Sequence, residues 1–344
     1  MLRRISRSQA LELLRKAPLL ELGQMADQCR RKLHPRREVT FVVDRNINYT
    51  NVCVCGCKFC AFSRPPGHPE GYLLSYDQIF QKIEELIGMQ GTQILIQGGI
   101  NPALELKWFE ELFRRIKNKY PVHIHGLSPP EIHRLAKREG MSVAEVLKRL
   151  KAAGLGSVPG GGAEILSDRV RSRISPAKVN TSGWLKVMRE AHRLGLGSSA
   201  TMMFGSVEKD RDIIEHLHQV RKLQDKTRGF IAFIPWSFQP LNTKLAQLRP
   251  AGAVRYLKVL AVSRIFLDNV PNIQASWVTQ GPKIGQTALF FGANDFGSTM
   301  LEENVVAAAG AQFRISRDEA VRIIKAAGFK PLQRDAYYKI LRKF

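Results

Sequence analysis

Four of the five cysteines of this chain lie within eight residues, at Cys53, Cys55, Cys57 and Cys60. Cys53, Cys57 and Cys60 have the spacing C-x3-C-x2-C, and Phe59 directly precedes the last of them. Three thiolates this close together on a loop can bind three irons of a [4Fe–4S] cluster and leave the fourth iron without a protein ligand. A small molecule with an amine and a carboxylate, such as S-adenosylmethionine, can chelate that open iron. The spacing therefore predicts an iron–sulfur site that also binds a chelating cosubstrate.

Other uses of these cysteines fit the spacing less well. A structural zinc site needs four tetrahedral ligands, usually two cysteine pairs separated by roughly a dozen or more residues. The one cysteine outside the group, Cys29, is alone in a basic helical segment, so no second pair exists. Structural or redox thiols remain an alternative, although nothing indicates an oxidising compartment. Cys55 is expected to be a bystander on the loop.

The chain is strongly basic, with 53 lysine and arginine residues against 30 acidic ones and a net charge of +23. Such a charge favours solubility and can attract anionic substrates or nucleic acid. The basic residues are spread through the predicted helices, and no nucleic-acid motif with interleaved aromatic residues accompanies them. Specific nucleic-acid binding is therefore not expected.

The N-terminus carries Arg3 and Arg4 but no apolar segment of the kind found in signal peptides. No run approaches the roughly 18 apolar residues of a membrane span. We therefore expect a cytoplasmic protein without a membrane span, in a compartment where thiols stay reduced and a cluster can persist.

Alternating strand and helix patterns predict an α/β fold. A short apolar strand at residues 39–43 leads directly into the cysteine loop, and helical and strand patterns then alternate as far as about residue 292. Eight such repeats are typical of a (β/α)8 barrel of the TIM type. In such barrels the chemistry lies at the C-terminal ends of the strands, which is where the cysteine loop is expected.

Helical patterns at both ends of the chain predict two caps around this barrel. The predicted division is an N-terminal helical cap at residues 1–35, the barrel at residues 36–310 and a C-terminal helical extension at residues 311–344. The last part of the extension is expected to be a helix that includes Tyr337 and Tyr338, and that ends near Leu341.

Two glycine-rich segments follow predicted strands and are expected at the active face. Gly98 and Gly99 remove side chains at a point where backbone can approach a ligand closely. Residues 160–162 are three glycines, and Glu164 behind them could accept hydrogen bonds from ribose hydroxyls or from the ammonium group of a cosubstrate. Both segments could instead be simple turns.

Polar residues on and after the third predicted strand form another candidate group. His123 and His125 alternate on a strand, so they face the same side of it, and His125 lies nearer the expected mouth. His125 could act as a base or could be a hydrogen-bonded packing residue. Ser128, which follows at the same mouth, could bind substrate.

A last group of candidates is expected around the later strands. Asp295 and Glu303, just after the last predicted strand, could accept a proton, although both could also belong to a turn and a helix start. Trp236 and Trp277, each at a predicted strand end, could stack on an aromatic ring or could fill the top of the barrel.

Five motifs together resemble a known enzyme family. In order along the chain they are Cys53-x3-Cys57-x2-Cys60-Ala-Phe62, Gln97-Gly-Gly99, His125-Gly-Leu-Ser128-Pro-Pro-Glu-Ile132, Gly160-Gly-Gly-Ala-Glu-Ile165 and Phe291-Gly-Ala-Asn-Asp-Phe-Gly-Ser298. They are similar to the menaquinone-biosynthesis branch (the futalosine pathway) of the radical S-adenosylmethionine superfamily, from about residue 10 onward. Cys55 and the strong positive charge are departures from the family pattern.

The resemblance implies one of two radical reactions. One group of the branch, the aminofutalosine synthases, adds the adenosyl radical to an enolpyruvyl benzoate. The other group removes a hydrogen from the ribose of dehypoxanthine futalosine, and the resulting carbon radical closes a ring on the benzoate. Residues 291–306 and 330–337 are similar to the second group, so we predict the cyclisation.

The resemblance also implies roles for individual residues. The cluster ligands would be Cys53, Cys57 and Cys60; contacts to S-adenosylmethionine would come from Phe59, Gly98, Gly99 and Glu164; Ser128 would contact the substrate; and the proton acceptor would be one of His125, Asp295 and Glu303. The cofactors would be a [4Fe–4S] cluster and S-adenosylmethionine, and a low-potential donor such as flavodoxin or ferredoxin would supply electrons.

Two function classes outside this pathway remain open at the level of sequence. An iron–sulfur electron-transfer or redox-sensing protein would not need the glycine segments or a complete barrel. An RNA-modifying radical enzyme would account for the positive charge, and it would bind RNA at physiological salt.

Overall fold

The computed structural model describes residues 4–344. The helices of this part are α1 (Arg7–Lys16), α2 (Leu19–Leu33), α3 (Tyr76–Gly88), α4 (Leu106–Lys119), α5 (Pro129–Arg138), α6 (Val143–Ala153), α7 (Asp168–Ile174), α8 (Thr181–Arg193), α9 (Asp210–Thr227), α10 (Ala253–Phe266), α11 (Trp277–Gln280), α12 (Pro282–Ala288) and α13 (Arg317–Ala326). The strands are β1 (Glu38–Val42), β2 (Asp44–Ile47), β3 (Gln93–Ile96), β4 (His123–Gly126), β5 (Ser198–Phe204), β6 (Phe230–Ser237), β7 (Asn272–Ile273), β8 (Asp295–Ser298), β9 (Lys330–Arg334) and β10 (Ile340–Lys343). Each helix in residues 4–344 is too short or too polar to cross a membrane.

The strands form three sheets. β2, β3 and β4 are parallel neighbours, and so are β5, β6 and β7. In the third sheet β1 lies between β8 and β9, with β10 antiparallel to β9. The edges of the sheets are linked by isolated parallel bridges, which join His125 to Ser157, Val158 to Ser198 and Gln274 to Asp295.

The predicted α/β alternation is confirmed, but the strands are less regular than in a simple barrel. The strand predicted at residues 39–43 corresponds to β1, which pairs with β8 and β9. A second strand that was not predicted, β2, follows it after Val43, pairs with β3 and leads into the cysteine loop. The fourth predicted strand is reduced to the bridges of Ser157 and Val158. Pro159 follows it and has no backbone N–H to continue a ladder. The strands therefore do not form one uninterrupted eight-stranded ladder.

The C-terminal segment differs from the predicted helical extension. Helix α13 lies where a helix was expected, but the prediction of a final helix through Tyr337, Tyr338 and Leu341 is wrong, because β9 and β10 form a hairpin there. The free edge of β1 offers backbone donors and acceptors, and β9 satisfies them by parallel pairing. Tyr338 in the connection has a φ of 65°, which is incompatible with a right-handed helix.

The N-terminal helices pack against the outer helices of the fold. α1 contacts α9 and α10, and α2 lies along α10. Ser6 and Gln9 form a capping box that begins α1, and Leu22 and Ala26 of α2 are fully buried. Residues 1–3 of the predicted cap lie outside the described residues. Buried side chains from the N-terminal helices, the sheets and α13 belong to one hydrophobic cluster, and the boundaries at residues 35 and 310 stay predictions.

Candidate active site

The cysteine loop lies between β2 and α3, at the C-terminal end of β2. Its backbone is held by neighbours on both sides: Cys53 N donates to Arg64 O at 2.8 Å, and Val54 N donates to Ile100 O at 3.1 Å. Ile100 belongs to the segment that leaves β3. The loop is therefore fixed against the ends of the first two strands of this sheet, as the sequence predicts.

The glycine pair after β3 lets the backbone of the cysteine loop approach closely, because neither residue has a side chain. A Cβ atom on Gly99 would lie 2.2 Å from Val52 O and 2.9 Å from Cys53 Cβ. A Cβ atom on Gly98 would lie 2.7 Å from the ring of Tyr49. These separations are far below van der Waals contact, so both positions need glycine. Contact of Gly98 and Gly99 with S-adenosylmethionine stays a prediction.

The thiols of the loop have unequal electrostatic environments. The hydrogen bond from Cys55 lowers the pKa of the Cys53 thiol to about 6, whereas burial raises the pKa of the Cys57 thiol to about 11. Lys178 lies nearby; burial opposes its charge, but Cys57 and Glu164 outweigh burial and raise its pKa. An ammonium group beside three thiols suits an anionic iron–sulfur cluster, because it offsets part of the negative charge.

The donors of the loop are thiols, the ligand type of iron–sulfur clusters. In residues 4–344 no three His, Cys, Asp or Glu side chains converge on one metal-ion position. Thiolates that bind three different irons of a cubane do not have to converge on one point. The loop residues present therefore fit a [4Fe–4S] group, with Cys53, Cys57 and Cys60 as its predicted ligands.

Glu164 connects the cysteine loop to the interior of the fold. Its Oε1 lies 2.7 Å from Lys178 Nζ, and that ammonium lies 5.2 Å from the centroid of the Phe59 ring. Glu164 is 4% exposed, has a φ of 41° and accepts a backbone hydrogen bond from Met203 N at 2.9 Å. The structure thus brings Phe59 and Glu164, two of the predicted cosubstrate contacts, to the same ammonium group.

A cavity of about 300 Å³ extends from Glu164 into the fold. Its two walls differ in character. The polar wall is formed by β2, by β3 and by the residue after β3, with the side chains of Asp44, Asn46, Gln93 and Gln97. The apolar wall is formed by β6, by α11 and by the segment that joins β7 to α11, with the side chains of Ile231, Ile234, Trp236, Ala275 and Trp277. Such a cavity suits a ligand that has a polar end and a flat apolar end.

His125 lines the cavity but is poorly suited to accept a proton. Its Nδ1 lies 2.6 Å from Ser157 Oγ, and the same hydroxyl lies 2.6 Å from His123 Nε2. Burial lowers the pKa of His125 to about 3, so the imidazole is neutral at physiological pH and weakly basic. The two histidines predicted to face one side do so, and they share Ser157.

Glu303 also lines the cavity and is better placed as a base. Its Oε2 accepts a hydrogen bond from Asn46 Nδ2 at 3.1 Å. Its Oε1 accepts from the backbone N–H groups of Val305 at 2.6 Å and Val306 at 2.8 Å. Burial raises the pKa of this carboxyl above its usual value, which makes it a stronger proton acceptor than an exposed glutamate.

Asp295 does not lie where the sequence suggested. It is the first residue of β8 rather than part of a loop after the last strand, and it is fully buried. Arg334 donates to both of its carboxylate oxygens, at 2.5 and 3.1 Å. The expectation that Asp295 reaches into the mouth is therefore wrong, because this carboxylate is committed to a buried ion pair.

Ser128 is not among the side chains that line the cavity. It caps α5 in a capping box with Glu131, and its backbone N–H donates to Glu131 Oε2 at 2.7 Å. Glu131 Oε1 accepts further hydrogen bonds from Tyr49 Oη at 2.6 Å and Gly98 N at 3.2 Å. In this structure Ser128 and Glu131 support the glycine segment after β3, and contact of Ser128 with substrate stays a prediction.

Three residues of the site were missed at the level of sequence. Asp44 and Asn46 alternate on β2 directly before the cysteine loop, and that period of two was a usable signal for side chains facing one side. Lys178 lies in the connection between α7 and α8, more than a hundred residues along the chain from the cysteines. No local pattern marks it, because only the tertiary fold brings it to Cys57.

Comparisons with known proteins agree with this site. Residues 47–220 match the family described as the Radical SAM superfamily, and residues 227–343 match the CofH/MqnC C-terminal region. A protein named cyclic dehypoxanthine futalosine synthase from Halalkalibacterium halodurans is 45% identical over 99% of this chain and 92% of its own length. A 5-amino-6-(D-ribitylamino)uracil–L-tyrosine 4-hydroxyphenyl transferase from Methanococcoides burtonii is 42% identical over 98% and 96%.

The fold is also similar to that of a solved structure, methylornithine synthase (PylB). The TM-score is 0.76 at 18% identity, and the match covers 95% of this chain and 94% of that one. With the cysteine loop, the glycine segments and the two family matches in the same order along the sequence, the chain belongs to the radical S-adenosylmethionine superfamily, within the group that carries the CofH/MqnC C-terminal region.

Proposed function

We propose that this protein converts dehypoxanthine futalosine to cyclic dehypoxanthine futalosine in menaquinone biosynthesis. The observation that carries the proposal is the 45% identity to a synthase of that name, over nearly the full length of both chains. The cavity with one polar and one apolar wall supports it, because the substrate joins a ribose to a benzoate.

The cofactors are a [4Fe–4S] cluster and S-adenosylmethionine, as in the superfamily to which the chain belongs. When bound, they supply the 5′-deoxyadenosyl radical that removes a hydrogen atom from the ribose. Cys53, Cys57 and Cys60 would hold the cluster. Glu164 and Phe59 would orient S-adenosylmethionine at the edge of the cavity, where Lys178 already contacts both side chains.

The remaining work of the chain is positioning, exclusion of water and proton transfer. The partly exposed Trp236 gives the benzoate ring an apolar surface on which to lie, and the buried Trp277 packs in the same wall. Closure of the ring on the benzoate leaves a ring radical, and loss of one proton and one electron restores aromaticity. The raised pKa of Glu303 fits it to accept the proton, and the electron would be taken up by the oxidised cluster. His125, kept neutral by burial, would instead donate or accept a hydrogen bond, as it does with Ser157.

We also infer that the three sheets act together as one (β/α)8-type barrel between residues 36 and 310. The isolated bridges at Ser157, Val158 and Gln274 support this, since they connect the sheets in the order of a barrel. The pairing of β8 with β1 would close the barrel. The N-terminal helices would cap it from outside, and the C-terminal extension adds β9 to the other edge of β1.

A low-potential donor such as flavodoxin or ferredoxin would supply the electron that this chemistry needs. The net charge of +23 supports an acidic partner of this kind. The five cysteines are free thiols in the structure, which is consistent with work in the reducing cytoplasm.

The test is an anaerobic assay of the reconstituted, reduced protein with S-adenosylmethionine and dehypoxanthine futalosine, followed by mass spectrometry. A product lighter than the substrate by two hydrogens, formed together with 5′-deoxyadenosine, is expected. If dehypoxanthine futalosine is returned unchanged while an enolpyruvyl benzoate gains the adenosyl group, the protein is an aminofutalosine synthase instead.

A second candidate function follows from the relative that is 42% identical over nearly its whole length. Its name describes transfer of a 4-hydroxyphenyl group from L-tyrosine to 5-amino-6-(D-ribitylamino)uracil. A ribityl chain and a phenol would also occupy a cavity with one polar and one apolar wall. Parallel assays with these two compounds separate the candidates, because only one substrate pair is consumed.

A further inference from the structure

Two carboxylates on the polar side of the cavity have no cationic partner. Asp44 is 5% exposed; its Oδ2 accepts from Gln93 Nε2 at 2.9 Å, and its Oδ1 accepts from the hydroxyl of Ser298. Glu303 is bonded to an amide side chain and backbone N–H groups alone. Within residues 4–344, neither carboxylate forms an ion pair.

Other buried carboxylates around the cavity are neutralised. Glu164 is paired with Lys178 at 2.7 Å. Arg334, whose side chain also borders the cavity, is engaged by both oxygens of Asp295. A buried carboxylate without an ion-pair partner is costly to hold, because burial disfavours the charge, and at Asp44 the charge of Arg334 offsets only part of that cost. These two carboxylates therefore distinguish one wall of this cavity from its other surfaces.

The geometry of that wall suits hydroxyl groups. Asp44 and Asn46 alternate on β2 and both line the cavity, and Asn46 Nδ2 donates to Glu303 Oε2 at 3.1 Å. A carboxylate has about four lone-pair positions, so these side chains can accept further hydrogen bonds from a ligand. Neutral hydroxyl donors satisfy such acceptors, whereas an anionic group is repelled by them.

We propose that Asp44 and Glu303, with Asn46 between them, bind the ribose hydroxyl groups of the substrate and so set its orientation in the cavity. The inference rests on the proposed function and goes further by assigning a hydroxyl-binding wall. The carboxylate group of the benzoate is kept away from Asp44 and Glu303 and lies toward the wall of Trp236 and Trp277, while the ring carbon that joins the ribose stays next to Glu303. Asp44 thereby positions the ribose for hydrogen abstraction.

The experiment measures substrate affinity without turnover. The cluster-containing enzyme is mixed with S-adenosylmethionine in the absence of a reductant. Dehypoxanthine futalosine, or an analogue that lacks one ribose hydroxyl, is then titrated into this solution and the heat of binding is measured. The variants are Asp44→Asn and Glu303→Gln. Asp27→Asn is the control outside the cavity, because Asp27 lies in α2, where it pairs with Arg30 and Arg31, and does not line the cavity. Thermal unfolding of each variant confirms that it is folded.

Asp44→Asn is expected to weaken substrate binding by about 10-fold to 100-fold, the usual effect of losing a hydrogen bond to a charged group. One of the analogues should bind the wild-type enzyme more weakly than dehypoxanthine futalosine does, by a similar factor. The affinity of that analogue for Asp44→Asn should be little lower than its affinity for the wild type, because the missing hydroxyl and the missing carboxylate remove the same contact. Asp27→Asn should bind all ligands as the wild type does.

Two results separate failure of this inference from failure of the proposed function. The first result is that the wild type binds dehypoxanthine futalosine, and that both variants bind this substrate and every analogue as tightly as the wild type does. That result refutes the hydroxyl-binding wall and leaves the proposed function standing. The second result is that the wild type does not bind dehypoxanthine futalosine, and it refutes the proposed function. The same variants are then titrated with 5-amino-6-(D-ribitylamino)uracil, and unchanged affinity for its ribityl hydroxyls refutes the wall as well.

Discussion

At the scale of single residues, the position of the cysteine loop depends on Gly99 having no side chain. Gly99→Ala would place a methyl group 2.2 Å from Val52 O and 2.9 Å from Cys53 Cβ. Because backbone cannot move aside as a flexible side chain does, the loop must shift and displace Cys53, a predicted cluster ligand. We expect Gly99→Ala to lose most of its iron after reconstitution, measured as iron and sulfide per chain and as visible absorption.

The matched control for this change is Gly88→Ala. Gly88 is the last residue of α3, and a Cβ atom there meets nothing within 4 Å. That variant should bind iron as the wild type does and should be unchanged or slightly more stable, because alanine favours a helix over glycine. Full iron content in Gly99→Ala would show that the loop does not need this close approach.

Asp44 should make the fold less stable at neutral and alkaline pH. Burial raises its pKa to about 6 from an ordinary value of 3.8, although Ser298, Gln93 and the charge of Arg334 oppose the shift and Asp295 adds to it. A carboxyl whose pKa is higher in the folded state costs stability above pH 6, and this cost disappears as the pH falls below about 4. We expect Asp44→Asn to raise the free energy of unfolding at pH 8 by up to about 3 kcal/mol.

The measurement is urea unfolding of the cluster-free protein at pH 8 and at pH 5. The advantage of Asp44→Asn over the wild type should shrink at pH 5, because Asp44 is then largely protonated. Asp318→Asn, at a side chain that is 82% exposed, serves as the control and should change little at either pH. A destabilised Asp44→Asn at pH 8 would contradict the assigned cost.

The outcome at single residues shows which signals a sequence carries. Cysteine spacing and the glycine run before Glu164 are local patterns, and the structure keeps Phe59 and Glu164 together beside the loop. Asp295 was misplaced because strand β8 begins at it rather than before it. Lys178 could not have been found, because its proximity to Cys57 depends on how α7 and α8 are placed.

At the scale of elements, one buried ion pair joins the C-terminal hairpin to the sheet. Arg334 in β9 and Asp295 in β8 are 3% and 0% exposed at their side chains. Removing Arg334 leaves a buried carboxylate without compensation, which typically costs about 3–5 kcal/mol. We therefore expect Arg334→Met to lower the free energy of unfolding by an amount of that order, measured by denaturant unfolding of the cluster-free protein.

A double-mutant cycle tests the cause of that loss. Arg334→Met combined with Asp295→Asn removes both charges, so it should recover a large part of the stability that Arg334→Met loses alone. Arg317→Met is the exposed counterpart, because its partner Asp318 is 82% exposed, and it should cost less than about 1 kcal/mol. Additive effects at Arg334 and Asp295 would show that the pair is not coupled.

Helices and strands could be predicted where a hydrophobic period lies within the segment itself. They could not be predicted where the segment is stabilised by pairing with a strand far away in the sequence. The amphipathic helices α3, α4 and α8 follow their sequence patterns. A capping box of Ser75 with Gln78 begins α3, and the side chain of Asn180 caps α8. The hairpin of β9 and β10 was mistaken for a helix, since its strand conformation is stabilised by the edge of β1, nearly three hundred residues earlier. Such long-range pairing leaves no periodic signal in its own segment.

At the scale of the whole molecule, the net charge of +23 acts over distances that single contacts do not reach. Opposite charge accelerates the encounter of two proteins, and salt screens this attraction over about 10 Å at 0.1 M ionic strength. If an acidic flavodoxin or ferredoxin is the electron donor, its second-order rate of reducing this protein should fall several-fold when the ionic strength rises from about 0.05 M to about 0.3 M.

The rate is measured by stopped-flow absorption as the reduced donor is mixed with the oxidised, cluster-containing protein. The control is a single turnover of protein that has been reduced beforehand, in which no donor encounter occurs. Because that turnover needs no encounter between two proteins, and the proposed substrate cavity is lined by residues of this chain, its rate should change little over the same range of salt. If the rate of reduction by the donor does not depend on salt, the positive charge of this protein does not accelerate its encounter with the donor. Docking would then depend on short-range contacts around the cysteine loop.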